Sequence, residues 1–213
     1  MSVIPLALGR TLTTSEDEFE RRGGRRGSTL LIRNFDDAQL LSGALNCSYD
    51  LRIGAEFKDH REGWKTEILD DDHLTLLPGH AAIIETRESL HVPVSMFDYI
   101  VPRVKWLQKG VSNTLSEIDP GYNGPLLITL FNLGKNTVAI PRKDGLCSLV
   151  IHDVGQGACL YTGGAKRIAG DPRAGMMFGE FLNRMEAAWQ KITDKLEAKP
   201  STLHAALYWR RPH

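Results

Sequence analysis

The stretch Ser116-Glu-Ile-Asp-Pro-Gly-Tyr-Asn-Gly-Pro-Leu-Leu-Ile-Thr-Leu-Phe-Asn-Leu-Gly134 combines a turn, an acidic side chain and an apolar strand. Pro120-Gly121 favours a tight turn, because proline fixes φ and glycine accepts a positive φ. Asp119 precedes this turn and Tyr122 follows it, so a carboxylate and an aromatic ring can share one side of a hairpin mouth. An acid that activates water and a ring that stacks on a sugar suit a nucleotide site, although most Asp-Pro-Gly sequences are only turns.

Short segments rich in β-branched residues surround this stretch and are separated by turn sequences. Repeated short strands of this kind favour an all-β fold, a distorted barrel or jelly roll, over alternating strands and helices. Short helices are predicted at 36–42 and 104–110. The predicted strands are 30–32, 49–53, 73–77, 81–86, 126–131, 137–140 and 146–151.

The two ends of the chain differ from this β domain, which we place at 29–154. Residues 1–28 predict a flexible arm, since 11–28 is polar and Gly-rich, and its arginines between Arg21 and Arg26 either face solvent or contact phosphate or a neighbouring subunit. After a Gly-rich loop from 155, apolar residues recur at spacings of four and three between Phe178 and Leu196. This pattern predicts an added C-terminal amphipathic helix, which packs either on its own domain or against its copies in an oligomer.

Composition excludes several classes of protein. Basic and acidic residues are equal at 26 each, so no overall charge recruits nucleic acid or an anionic membrane. The three cysteines form neither a disulfide framework nor a zinc-binding pair, and no apolar run of about 18 residues can span a bilayer. We therefore expect a soluble cytoplasmic protein that does not bind membranes, with nucleic acid an improbable partner.

Several motifs in the middle of the chain resemble the superfamily of dUTP diphosphatases and dCTP deaminases. The string Ser48-Tyr-Asp-Leu-Arg-Ile-Gly54 is similar to a deaminase N-terminal motif, and Ile118 to Gly124 with Phe131 to Gly134 matches the motif around the water-activating Asp. Pro102-Arg103 lies where the phosphate-binding motif is expected. The resemblance covers about 29–154 and implies a homotrimer with active sites at the subunit interfaces.

The diphosphatase pattern assigns roles to particular residues. The resemblance implies that Asp119 is catalytic and activates water for attack on the α-phosphorus, and that Tyr122 lies against the deoxyribose. Arg103 matches the family's arginine that neutralises phosphate charge, and Lys105 would add a second cation there. Mg²⁺ would arrive with the triphosphate and need few protein ligands.

Several residues of the expected nucleotide site depart from the family's pattern. Thr129 stands where the deaminase has its general acid–base glutamate, and an alcohol cannot replace a carboxylate in proton transfer near pH 7. Val104 and Lys105 replace two small hydroxyl residues of the deaminase phosphate motif, Gln108 replaces its arginine, and Ser148 replaces the family's usual glutamine. Deamination as the family performs it is therefore not expected.

Three functions remain open at this stage. The first is a Mg²⁺-dependent pyrophosphohydrolase of dUTP or a related deoxypyrimidine nucleotide. The second is a catalytically degenerate deaminase-like protein that binds a nucleotide or a protein partner. The third is an active dCTP deaminase with a displaced acid, for example Glu117.

Overall fold

A computed structural model of the chain describes residues 2–40, 47–61, 63, 65–69 and 72–155. These residues belong to the first of two compact units, Met1–Pro172, and the second unit, Arg173–His213, lies outside them. The predicted helix at 178–196 and most of the Gly-rich loop also lie outside the described residues.

The described part is built mainly from strands, which confirms the predicted all-β class. Its α-helices are α1 (Glu16–Arg21) and α2 (Val104–Leu107), and 3-10 turns cover Gly24–Arg26 and Asp37–Gln39. The strands are β1 (Ser2–Val3), β2 (Leu12–Thr13), β3 (Leu30–Arg33), β4 (Tyr49–Leu51), β5 (Ile53–Asp59), β6 (Thr66–Ile68), β7 (His73–Leu76), β8 (Ala81–His91), β9 (Met96–Pro102), β10 (Val111–Asn113), β11 (Ser116–Ile118), β12 (Asn123–Asn132), β13 (Val138–Pro141) and β14 (Cys147–Asp153).

Three open sheets hold these strands, and no closed barrel is formed among the described residues. One sheet has the order β1-β14-β9-β11, with β4 also paired to β14. A larger one has the order β10-β12-β8-β3-β2, with β5 on β8 and β6 on β5, and β13 pairs with β7. All of these pairs are antiparallel except β2 with β3.

The core follows from the period-two alternation of strand residues. In β14, Cys147, Leu149 and Ile151 are buried while the residues between them are half-exposed. The same alternation in β12 buries Ile128 and Leu130. Apolar side chains that alternate in this way belong on the inner face of a sheet, so each strand has one face toward the core.

The first 28 residues are more ordered than the flexible arm that we predicted. They contain β1, β2 and α1, and Leu6, Leu12 and Phe19 are buried. Ser15 caps α1 by accepting a hydrogen bond from the Glu18 backbone N–H. The few apolar residues of this segment thus anchor it on the sheets, although its composition is polar. The domain boundaries at 28 and 154 stay predictions.

The helices of the described residues are short. The predicted helix at 104–110 is present as α2, and the one at 36–42 appears as the 3-10 turn Asp37–Gln39 followed by residues outside the described part. None of the described helices is long and apolar enough to cross a membrane.

Candidate functional site

The Pro120-Gly121 turn presents Asp119 to solvent. The Tyr122 backbone N–H donates to the Asp119 carbonyl over 3.1 Å, and Gly121 adopts a φ of 82°, which only glycine accepts readily. Asp119 is exposed, whereas Tyr122 is half-buried and packs against the core. The Tyr122 hydroxyl donates to the Pro125 carbonyl, which fixes the ring beside the turn.

A small open depression of about 160 Å³ lies beside this turn, and we call it the Asp119 depression. Glu117 and Asp119 give it two carboxylates, and Tyr122 gives it a ring. The structure thus brings together the acid and the aromatic residue that the sequence singled out. The lining residues are Ser116, Glu117, Ile118, Asp119, Tyr122, Leu126 and Leu127.

Thr129 lies along the strand that forms one side of the depression. Leu127, Thr129 and Phe131 are half-exposed and alternate with buried residues, so they share one face of β12. Thr129 follows Leu127 by two residues, which places it about 7 Å beyond a residue that lines the depression. Its carbonyl accepts the Thr114 backbone N–H over 2.9 Å. The side chain at this position is a hydroxyl, as the sequence indicated.

Arg25 from the N-terminal segment packs against the same turn. A Cβ at Gly121 would lie 2.7 Å from the nearest nitrogen of the Arg25 guanidinium, so this close approach also requires glycine. The Val94 backbone N–H donates to the Arg25 carbonyl over 2.8 Å, which anchors the segment. A cation beside the Asp119 turn was not predicted, because the arginines of this segment could equally have faced solvent.

Asp50, Arg103 and Ser148 form a second group of polar side chains, which we call the Asp50 cluster. The buried Asp50 carboxylate lies 2.8 Å from the Arg103 guanidinium and accepts the Ser148 hydroxyl over 2.7 Å. The Gly145 carbonyl accepts a further Arg103 hydrogen bond over 3.4 Å. A Cβ at Gly145 would lie 2.5 Å from both Arg103 and Asp50, so glycine is required there. This role of Asp50 was not predicted, although the residue belongs to the Ser48–Gly54 motif.

Lys105 lies on α2 and Gln108 follows the last residue of this helix, next to the Asp50 cluster. Lys105 forms an ion pair with Asp144, and its ammonium lies 4.7 Å from the centre of the Trp106 ring. The Trp106 indole N–H donates to the Gly145 carbonyl over 2.8 Å and so joins α2 to the loop before β14. Gln108 is exposed at the C-terminal cap of α2. Both cations predicted to bind phosphate therefore already have a carboxylate partner.

A buried network supports the strand that supplies Asp50. The Glu88 carboxylate accepts the Arg52 backbone N–H over 2.8 Å and the Arg52 Nε over 2.6 Å. The Tyr49 hydroxyl lies 3.3 Å from Glu88, and burial raises the pKa of this phenol. Arg52 also pairs with Asp36. Because every charge here has a partner, β4 and β5 are held firmly on β8.

Strand β9 separates the Asp119 depression from the Asp50 cluster. Ile118 pairs with Asp98 near the start of β9, so Asp119 lies level with Phe97, whereas Arg103 follows the end of the strand. Six residues of strand correspond to about 20 Å. Within one chain, Asp119 and Arg103 therefore lie near opposite ends of β9.

The chain is similar to known proteins over this part of the sequence. A family model described as dCTP deaminase-like matches residues 15–154. A relative from Methanothermobacter thermautotrophicus named dCTP deaminase, dUMP-forming, is 25% identical over 174 residues, which are 73% of this chain and 83% of that protein. A deoxyuridine 5′-triphosphate nucleotidohydrolase from Shewanella amazonensis is 31% identical over 117 residues, which are 50% of this chain and 77% of that protein. Among solved structures, a 2′-deoxycytidine 5′-triphosphate deaminase from Agrobacterium tumefaciens matches with a TM-score of 0.48 at 17% identity, over 57% of this chain and 41% of that one.

Proposed function

The chain belongs to the dCTP deaminase-like family, and from this premise we propose that it is a pyrophosphohydrolase of dUTP or a related deoxypyrimidine triphosphate. The observation that carries the proposal is the exposed Asp119 carboxylate beside Tyr122 in the Asp119 depression. The hydroxyl of Thr129 in place of a carboxylate favours hydrolysis over deamination, because phosphoryl transfer mainly needs positioned charge.

In this reaction Asp119 accepts a proton from water as the water oxygen attacks the α-phosphorus. The new bond joins that oxygen to the α-phosphorus, and the bond to the bridging oxygen breaks, so pyrophosphate leaves with its electron pair. The Tyr122 ring lies against the deoxyribose and disfavours a 2′-hydroxyl. Its hydrogen bond to the Pro125 carbonyl would hold the ring in this position.

The phosphate-binding part of the site comes from another subunit in this proposal. Arg103 and Asp119 are about 20 Å apart along β9 within one chain, which is too far for both to contact one triphosphate. A homotrimer that sets the Asp50 cluster of one subunit beside the Asp119 depression of the next would complete the site. Lys105, Gln108 and Ser148 would then lie near the phosphates with Arg103.

Mg²⁺ is the cofactor that this chemistry implies, and the residues fit it. The Asp119 depression offers the Glu117 carboxylate, which leaves Asp119 as the base, and Mg²⁺ usually binds one or two carboxylates together with substrate phosphates. When bound, it would neutralise phosphate charge. A cytoplasmic location would suit this substrate and the buried thiol of Cys147.

An active dCTP deaminase is the second candidate, and one observation favours it. Glu117 lines the Asp119 depression and is exposed. Its carboxylate could take the role of the deaminase glutamate, whose position is occupied here by Thr129. A relative whose name states that it forms dUMP adds support, since dUMP has neither the amino group nor the outer phosphates of dCTP. A protein that only binds nucleotide is the third candidate, because Arg103 and Lys105 are already paired with Asp50 and Asp144.

The test is incubation of the purified protein with dUTP, dCTP and dTTP in the presence of Mg²⁺, with the products separated by chromatography. Monophosphate and pyrophosphate that disappear in Asp119→Asn, but not in the exposed control Asp17→Asn, support the proposal. Conversion of a cytosine to a uracil product that Glu117→Gln stops supports the deaminase instead. A rise in melting temperature with nucleotide, without any product, leaves only binding and overturns both enzymatic functions.

A further inference from the structure

Three metal-ligating side chains meet at the junction of β5 and β8, apart from the Asp119 depression and the Asp50 cluster. Asp59 ends β5, His60 follows it directly, and His80 immediately precedes β8. Each offers one ligand atom, and these atoms all lie within 4.8 Å of one another. Pairing of Asp59 with Ala82 in the sheet brings the two segments together. We call this group the His60–His80 cluster.

The distances within the cluster match those around a single metal ion. The two Asp59 carboxylate oxygens contact different rings: Oδ2 lies 3.1 Å from His80 Nδ1, and Oδ1 lies 3.7 Å from His60 Nδ1. Two ligand atoms about 2.1 Å from a tetrahedral ion are about 3.4 Å apart, between these two values. The ring centres of His60 and His80 are 5.5 Å apart, and two imidazoles on one tetrahedral ion would be separated by about 5 Å. A small rotation of these side chains would therefore bring the three ligand atoms to one ion.

Backbone groups contact two of the three ligands. His60 Nδ1 lies 3.0 Å from the Ala81 N–H and 3.1 Å from the Ala81 carbonyl, so its tautomer decides which contact is the hydrogen bond. In the tautomer whose Nδ1 accepts from the Ala81 N–H, this nitrogen carries the electron pair that a metal ion needs, and binding exchanges that hydrogen bond for a metal–nitrogen bond. The Arg61 backbone N–H donates to Asp59 over 2.8 Å and orients the carboxylate, as outer partners of metal ligands do.

His80 adds an independent observation. Its side chain is only 9% exposed, and its Nε2 is buried without a hydrogen-bond partner among the described residues. Its Nδ1 lies 3.1 Å from the Asp59 carboxylate, a polar contact that helps to hold this imidazole inside the protein. A buried ring with one unsatisfied nitrogen costs stability, and a metal bond at the other nitrogen would offset that cost.

We propose that Asp59, His60 and His80 bind a divalent transition metal of the zinc class and clip the end of β5 to the start of β8. Two imidazoles and one carboxylate suit Zn²⁺ or Co²⁺, whereas Mg²⁺ and Ca²⁺ prefer an all-oxygen set. Three protein ligands leave one position of a tetrahedral ion for water. This site is separate from any Mg²⁺ that arrives with a nucleotide.

The experiment uses full-length, tag-free protein freed of metal with a chelator and then dialysed. Titration with Co²⁺ is expected to produce visible absorption bands that saturate at one ion per chain. Zn²⁺ at about 100-fold above its dissociation constant is expected to raise the melting temperature by about 5–10 °C. Mg²⁺ at the same concentration should leave it unchanged.

Variants decide whether these side chains are the ligands. Asp59→Asn keeps the shape of the side chain, and His60→Gln changes a side chain that is partly exposed, so at least one of these variants should stay folded. Both variants are expected to lose the cobalt absorption bands and the rise in melting temperature with Zn²⁺. The control His73→Asn changes a histidine outside the cluster and should retain both signals. The proposal is overturned if the wild-type protein shows neither signal, or if both variants respond as the wild type does. Neither readout involves nucleotide turnover, so this result is independent of the proposed reaction.

Discussion

Asp50 and Arg103 form an ion pair across the sheet, with 2.8 Å between the carboxylate and the guanidinium. The Asp50 side chain is 5% exposed and that of Arg103 is 29% exposed. The carboxylate is therefore buried, whereas the guanidinium reaches the surface. Ser148 and the Gly145 carbonyl complete the arrangement. This geometry makes Asp50 a positioning residue for the guanidinium that we expect to bind phosphate.

Asp50→Asn is expected to weaken nucleotide binding about tenfold and to lower the free energy of unfolding by about 1–3 kcal/mol. The amide keeps the shape of the side chain but removes the charge that orients Arg103. Ser148→Ala is the matched control, because it removes one neutral hydrogen bond to the same carboxylate and should affect binding less. Calorimetric titration with a non-hydrolysable nucleotide in both variants measures the effect. Equal affinities in Asp50→Asn and the wild type would show that the pair does not position Arg103 for the ligand.

Asp98 is expected to make the protein less stable as the pH rises from about 4. This carboxyl on β9 is fully buried, neither oxygen has a hydrogen-bond partner within the part of the chain that the structure describes, and burial raises its pKa well above the usual range. The native state therefore keeps a proton that the unfolded state releases near its ordinary pKa of about 3.9, so stability falls by about 1.4 kcal/mol per pH unit up to the folded pKa.

Asp98→Asn removes this titration. The free energy of unfolding, measured with urea between pH 4 and 8, should increase in the variant relative to the wild type as the pH rises. The difference between the two proteins should be smallest at pH 4. The exposed Asp17→Asn is the control and should follow the wild type throughout. A constant difference between Asp98→Asn and the wild type across this range would mean that Asp98 is not protonated in the native state.

Cys47 and Cys147 are expected to differ sharply in their reaction with iodoacetamide. Cys47 is exposed, whereas Cys147 is buried in β14, and burial raises the pKa of its thiol. The thiolate is the reactive form, so the native protein should be alkylated at Cys47 and not at Cys147. Mass spectrometry of the two peptides, before and after denaturation, checks this. Labelling of both thiols at similar rates in the native state would indicate that β14 opens readily.

The sequence was sufficient for the fold class and for the Asp119 turn. Alternating apolar residues in β8, β12 and β14 and the turn chemistry of Pro120-Gly121 are local signals, and the structure contains the corresponding strands and turn. Strand β9 was missed, because Met96-Phe-Asp-Tyr-Ile is apolar on both faces and is interrupted by Asp98. Its pairing with β11 and β14 depends on contacts between distant segments, which a local pattern does not encode.

The environment of the phosphate-binding residues could not be predicted for the same reason. Arg103 and Lys105 are separated in sequence from their partners, Asp50 and Asp144, and only the fold brings each pair together. The order of the N-terminal segment was also missed, since a few buried side chains such as Phe19 anchor a stretch that is polar on average.

Mixed oligomers of two inactive variants are expected to recover activity. Asp119 and Arg103 lie at opposite ends of β9, so we expect each site of a trimer to take Asp119 from one subunit and Arg103 from another. Asp119→Asn and Arg103→Gln should each abolish pyrophosphate release alone. If the two are unfolded and refolded together in equal amounts, about one quarter of the sites receive both intact residues, because each has an even chance of coming from the right variant. Recovery of about a quarter of the wild-type rate would support a shared site. The separately refolded variants mixed afterwards are the control, and absence of recovery in the co-refolded sample would place both residues in the site of a single chain.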